Sequence, residues 1–174
     1  MMDTAFTIGG GLGQSQMMTS PDLRKWPASD RGYRRSEVSA VVGNGDAAWE
    51  RVIKDVLRWR VKTASGFAVD STEPVSQGDR VVVTARLLRM TVVEPVEVVA
   101  VVEEFDRVGF AYRTMAGQPV SGEEAFIVHR RGDEVLLTVR SLTRPAPQQP
   151  WRALYPLLFI AQRIARRRYL RSLR

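Results

Sequence analysis

The sequence predicts an α+β domain in which a curved antiparallel sheet of about six to seven strands wraps a long C-terminal helix, with a shorter helix near 46–58. Three observations carry that expectation. Apolar residues alternate with a period of two through most of the second half of the chain, which is the mark of half-buried strands. The runs follow one another across short turns, so the strands form a meander and not a doubly wound parallel sheet. Only two stretches carry a clear helical period, one before the strands and one after them.

With 174 residues, the chain suits one domain with a real core. A leader is expected over 1–28 and a single domain over 29–174. Residues 1–28 are rich in Gly, Ser, Met and Pro and carry no sustained period, so they are expected to be flexible, with a short docked piece near Leu23–Trp26. Gly9, Gly10, Gly11 and Gly13 do not complete a dinucleotide-binding fingerprint, and no strand pattern precedes them.

Val38, Ala40 and Val42 mark a first strand. Gly43-Asn44-Gly45-Asp46 then breaks it and offers side chains able to cap a helix. The following helix is the clearest in the chain: Trp49, Val52, Ile53, Val56 and Leu57 share one face, with Glu50, Arg51, Lys54, Asp55 and Arg58 opposite. After Trp59 the pattern turns to strands. Val81, Val83, Ala85 and Leu87 share one face, and Val92 to Phe105 is so rich in valine that it is expected to be central and buried on both sides. Val108, Phe110, Tyr112 and Thr114 alternate next, followed by Glu124, Phe126 and Val128. Gly132-Asp133 supplies a two-residue hairpin turn before Val135, Leu137 and Val139. Pro145, Pro147 and Pro150 close the sheet. In the last helix Leu154, Leu158, Ala161, Ala165, Tyr169 and Leu173 form an apolar stripe, and Pro156 predicts a kink or a late start. A long helix across a curved sheet is the helix-grip arrangement, in which an apolar cavity often remains between the two.

The absence of cysteine excludes disulfides, thiolate nucleophiles and cysteine-bound metals. His129 is the only histidine, which leaves no multi-histidine metal site and no serine triad, and its place beside Arg130 and Arg131 reads as a solvated turn. No catalytic residue, metal or cofactor is assigned. No apolar run reaches the ~20 residues of a membrane span, and the N-terminus makes a poor signal peptide, so a cytoplasmic setting is expected.

Glu123 and Glu124 are neighbours on a strand, so they point to opposite faces and form no dyad. Glu124 shares its face with Phe126 and Val128 and is expected inside, paired with Arg140 or Arg144 or hydrogen-bonded by Tyr112. The expected lining of a ligand cavity is therefore Tyr112, Glu124, Phe126 and Arg144, with Phe110 and Trp59, although these aromatics read first as core. The ligand would be an apolar or amphipathic small molecule or lipid. An enzyme of the cyclase or hydrolase kind, using Glu124, Tyr112 and Arg144, is the competing reading.

The net charge of +7 is placed unevenly. Seven arginines (152, 163, 166, 167, 168, 171 and 174) and no acid lie between Trp151 and Arg174, so the remaining 19 basic residues match the 19 acids. Arg163, Arg166, Arg167, Arg171 and Arg174 are expected to form an outward stripe for an anionic membrane surface or nucleic acid. The plainer reading is a solvated helix face in an arginine-rich chain. Oligomeric state is not indicated.

Several segments resemble an uncharacterised family, the domain of unknown function nineteen-ninety. They are Gly32-Tyr33-Arg34-Arg35, the Gly43/Gly45 turn before Trp49, Trp59-Arg60-Val61, Arg107 to Thr114, Gly117, Gly122-Glu123-Glu124-Ala125-Phe126, Ser141 to Pro145 and Tyr155-Pro156. The resemblance covers about residue 28 to the C-terminus. The chain departs from the family pattern at Arg113, where members carry glycine. The resemblance implies a helix-grip fold like that of lipid-transfer START domains and polyketide cyclases, and it implies no activity.

Overall fold

The computed structural model describes residues 19–27, 32–87, 90–115, 120–145 and 163–174. The order is β1 (Arg34–Asn44), α1 (Gly45–Val56), α2 (Arg60–Thr63), β2 (Phe67–Val69), β3 (Arg80–Leu87), β4 (Met90–Glu104), β5 (Arg107–Thr114), β6 (Val120–Arg131) and β7 (Glu134–Pro145). Residues 163–169 form a last helix, α3. The seven strands make one antiparallel sheet in the order β1-β7-β6-β5-β4-β3-β2, curled into a half-barrel. β2 to β7 are a pure meander, and β1 returns to pair with β7, placing the first and last strands side by side.

The inner face of the sheet holds the main core. Val83, Val96, Val98, Val108, Phe110, Phe126, Val128, Leu137 and Val139 pack there against Trp49, Val52 and Val56 of α1 and Tyr169 and Leu173 at the C-terminus. The apolar stripe of the last helix is thus visible at Ala165, Tyr169 and Leu173, while Leu154, Pro156, Leu158 and Ala161 lie outside the described residues.

The outer face is covered over its middle strands. Residues 19–27 lie across it, and every residue from Arg107 to Tyr112 is buried. The docked stretch therefore reaches further back than Leu23–Trp26. Arg107 donates to the Pro21 and Leu23 carbonyls at 2.6 and 3.0 Å. Arg140 donates to the Ser20 and Arg24 carbonyls and to Glu37. The Thr19 N–H reaches Glu123 at 2.7 Å. Small residues, Ala100, Ala111 and Ala125, beside Ile127 let this segment lie close.

Four local expectations are corrected. The middle strand is β5, not the valine-rich β4. A bulge between Val98 and Ala100 turns β4 over, so valines face both ways without both faces being covered, and Val93 is 51% exposed. Asn44 precedes α1 in extended conformation without a side-chain cap; instead the Gly45 N–H bonds the Asp133 carbonyl at 2.9 Å, tying the helix start to the β6–β7 turn. The chain after Trp59 is not a strand but the short helix α2. His129 is half-buried on the outer face, with Nδ1 buried and without a partner among the described residues. Burial, joined by the positive field of Arg107 and nearby arginines, lowers its pKa and keeps it neutral near pH 7.

Candidate functional site

A cavity of about 400 Å³ opens between the inner face of the sheet and α3. Phe67, Ala85 and Val92 supply an apolar wall, and Ile164 and Ala165 of α3 face it. The polar lining includes Lys62, Glu94, Tyr112, Glu124 and Tyr169, with Arg86, Arg166 and Arg168 also bordering the space.

The polar cluster is assembled from four parts of the chain. Tyr112 on β5 and Glu124 on β6 are directly opposite in the strand register, and the Tyr112 hydroxyl donates to Glu124 Oε2. Lys62 arrives through a chain reversal at Trp59, which holds the left-handed conformation at φ 59°. That conformation is unfavourable for a bulky residue, at about 1–2 kcal/mol. It is held by burial of the indole to 1% exposure and by edge contact with Phe110 at 4.7 Å. The reversal is then continued by α2, whose inner side carries Val61 and Lys62 into the core.

Lys62 Nζ lies 2.9 Å from Glu124 Oε2 and donates to the Tyr169 hydroxyl at 2.7 Å. It also sits within 4.8–5.6 Å of the ring centroids of Phe67, Tyr169, Tyr112 and Phe126, where the negative ring faces favour a cation. Burial opposes the charge on Lys62, but Glu124 and the surrounding phenolic oxygens outweigh it, and the lysine pKa stands well above its usual value. Burial, reinforced by Glu124, raises Tyr112 well above the ordinary phenol range, and burial raises Tyr169. At neutral pH the cluster therefore holds a protonated lysine and two neutral phenols. Glu94 on β4 faces the same space, and burial, partly offset by Lys62, raises its pKa.

The residues expected to line a cavity are thus distributed between three places. Tyr112 and Glu124 are brought together at its wall. Phe110, Phe126 and Trp59 pack beneath it as solid core, each at most 1% exposed. Arg144 is on the other side of the sheet: it alternates with Thr143, which lines the cavity, and its guanidinium stacks over Tyr33 at 4.7 Å. Arg140 is also on the outer face. The expected arginine partner of Glu124 is therefore replaced by Lys62, and the Glu124–Tyr112–Arg144 constellation does not form. Lys62 and Glu94 were missing from the sequence reading. Among the described residues no group of three His, Asp or Glu side chains is placed to hold a metal.

Of the C-terminal arginines, Arg152 lies outside the described residues, and Arg166 and Arg168 border the cavity. Arg163, Arg167, Arg171 and Arg174 are exposed and Arg166 is half-buried. On the side of α3 nearer β1, Arg163, Arg166 and Arg167 join Arg34, Ser36, Val38 and Leu170 around a second groove of about 310 Å³.

Comparison with known proteins agrees with this architecture. The model of the domain of unknown function DUF1990 matches residues 16–172, and the chain belongs to that family. The match begins before the docked segment 19–27, which is part of the folded unit. A hypothetical protein from Helicobacter pylori is similar in structure, with a TM-score of 0.58 at 14% identity over 82% of this chain and 85% of the other. Ara h 8.0201 matches with a TM-score of 0.50 at 13% identity, over 79% and 96%. At such identities the likeness is one of fold, the helix-grip fold. No curated protein gives a significant match. No helix among the described residues is long and apolar enough to cross a membrane.

Proposed function

We propose that this protein binds an apolar or amphipathic small molecule between sheet and α3. The carrying observation is the cavity of about 400 Å³, within the size range of small-molecule sites, with apolar wall residues and convergent polar groups. Lys62, Tyr112 and Glu124 satisfy one another, so they form a fixed polar end and not a set of mobile charges. Ala85 lies on the opposite wall, in register with Phe67 and Val92. Ala85→Phe should fill the space. Native mass spectrometry of freshly purified protein is expected to show a co-purified ligand on the unaltered chain and none on Ala85→Phe, with the fold retained. A protein that is always bare, and that takes up no apolar probe, would count against the proposal.

A second reading rests on a different observation, the convergence of Arg34 from β1 with Arg163, Arg166 and Arg167. Four guanidiniums in one groove suit an anionic surface, a lipid bilayer or a nucleic acid. The cytoplasmic setting expected from the sequence is compatible with either reading.

A further inference from the structure

The cavity's polar groups are not equally occupied. Lys62 is engaged by Glu124 and Tyr169, and Tyr112 by Glu124. Glu94 is different. It projects from β4 in register with Val83, amid Val92, Ala85 and Phe67, and among the described residues no side chain or backbone donor is hydrogen-bonded to it. The Glu94 carboxyl is half-buried among apolar side chains, so only solvent or a guest in the cavity is left to meet it. The core face of a valine-rich strand is a costly place for an acid that serves only the fold.

We infer that Glu94 is a ligand-contacting residue, and that the ligand is an apolar body carrying one hydrogen-bond donor, a hydroxyl or an amine, directed at the Glu94 carboxyl. The inference rests on the cavity being a binding site and adds the chemistry that the site selects. Its geometry separates two roles: the Lys62–Glu124–Tyr112 cluster is satisfied by the protein, and Glu94 is satisfied by the guest. The direction of the Glu94 pKa agrees, because burial holds it up where no bonded donor offsets the loss of water. A donor that binds there removes part of that cost.

Isothermal titration of the whole chain with 2-naphthol, 2-naphthylmethylamine and 2-methoxynaphthalene tests this. The three probes share the apolar body, and the ether lacks the donor. The expected result is that the naphthol or the amine binds about ten-fold more tightly than the ether, the scale of one hydrogen bond to a carboxyl group. Which of the two donors is preferred tells a neutral guest from a charged one. Glu94→Leu should erase the preference while still binding the ether, and Glu94→Gln, which keeps an accepting oxygen, should retain part of it. Equal binding of all three probes, or a preference that survives in Glu94→Leu, overturns the inference and leaves the cavity reading standing. Binding of none of them overturns both.

Discussion

Lys62 is one of three lysines in a chain with 26 basic residues, and it is the one placed in the core. The choice has a physical reason. An ammonium is a compact point charge that fits between one carboxylate, one phenol and several ring faces, where a planar guanidinium would need a wider fork of acceptors. Its neighbour Glu94 titrates against the fold. Because the folded-state pKa of Glu94 is raised, its favourable contribution is complete below the unfolded value near 4.5 and is lost as pH rises through the folded value. Above that range the native state carries the cost of a carboxylate partly withdrawn from water. Glu94→Gln is therefore expected to raise the melting temperature at pH 7–8, with a gain that shrinks as pH falls toward 4.5. Thermal melts across that range measure it. A gain that is constant with pH would mean that packing, not ionisation, separates the two proteins.

At the scale of elements, periodicity made the long strands and α1 legible, because each carries one apolar face over many residues. β2 spans three residues and α2 four, too short for any period to show. That is why Lys62 escaped: in the sequence it is one more charge after an amphipathic helix, and only the reversal at Trp59 turns it inward. Tyr112 and Glu124 were legible as partners because both lie on long alternating strands whose inner faces were already set by Phe110 and Phe126. Arg144 sits one residue out of phase with that face, and a period of two places it outside. Glu94 was hidden because it is one of four acids on the valine-rich β4, and nothing in the alternation distinguishes it from Glu97, Glu103 or Glu104. The segment 19–27 carries no period at all, and its docking depends on Arg107 and Arg140 from distant strands. Arg140 is 1% exposed and donates to several backbone carbonyls of that segment. Arg140→Ala is expected to cost about 3 kcal/mol, since it leaves acceptors buried without donors. It should also raise amide hydrogen exchange selectively at residues 19–27. Denaturant unfolding and exchange mass spectrometry read the two effects. A uniform rise in exchange across the sheet would show that Arg140 supports the whole core and not this segment.

Taken as a whole, the chain carries its excess charge in one terminal stretch. All seven excess positive charges lie in the stretch from Arg152 to Arg174, and α3 turns its apolar side, Ala165 and Tyr169, to the core. Arg163, Arg167, Arg171 and Arg174 therefore face solvent, and Arg34 extends the same field onto the sheet edge. Near an anionic bilayer each such residue contributes about 1 kcal/mol, within roughly a Debye length of the surface. The protein is expected to bind phosphatidylserine vesicles at about 20 mM salt, where screening reaches only to about 20 Å, and to release them as salt rises. Changing Arg163, Arg167, Arg171 and Arg174 together to Gln should abolish that binding. The melting temperature and the uptake of apolar probes should not change, because none of the four lines the cavity. Vesicle co-sedimentation at several salt concentrations decides the matter, with a duplex DNA of equal charge as the competing anion. If the unaltered protein stays in the supernatant with both, the stripe serves solubility, and α3 acts only by covering the sheet.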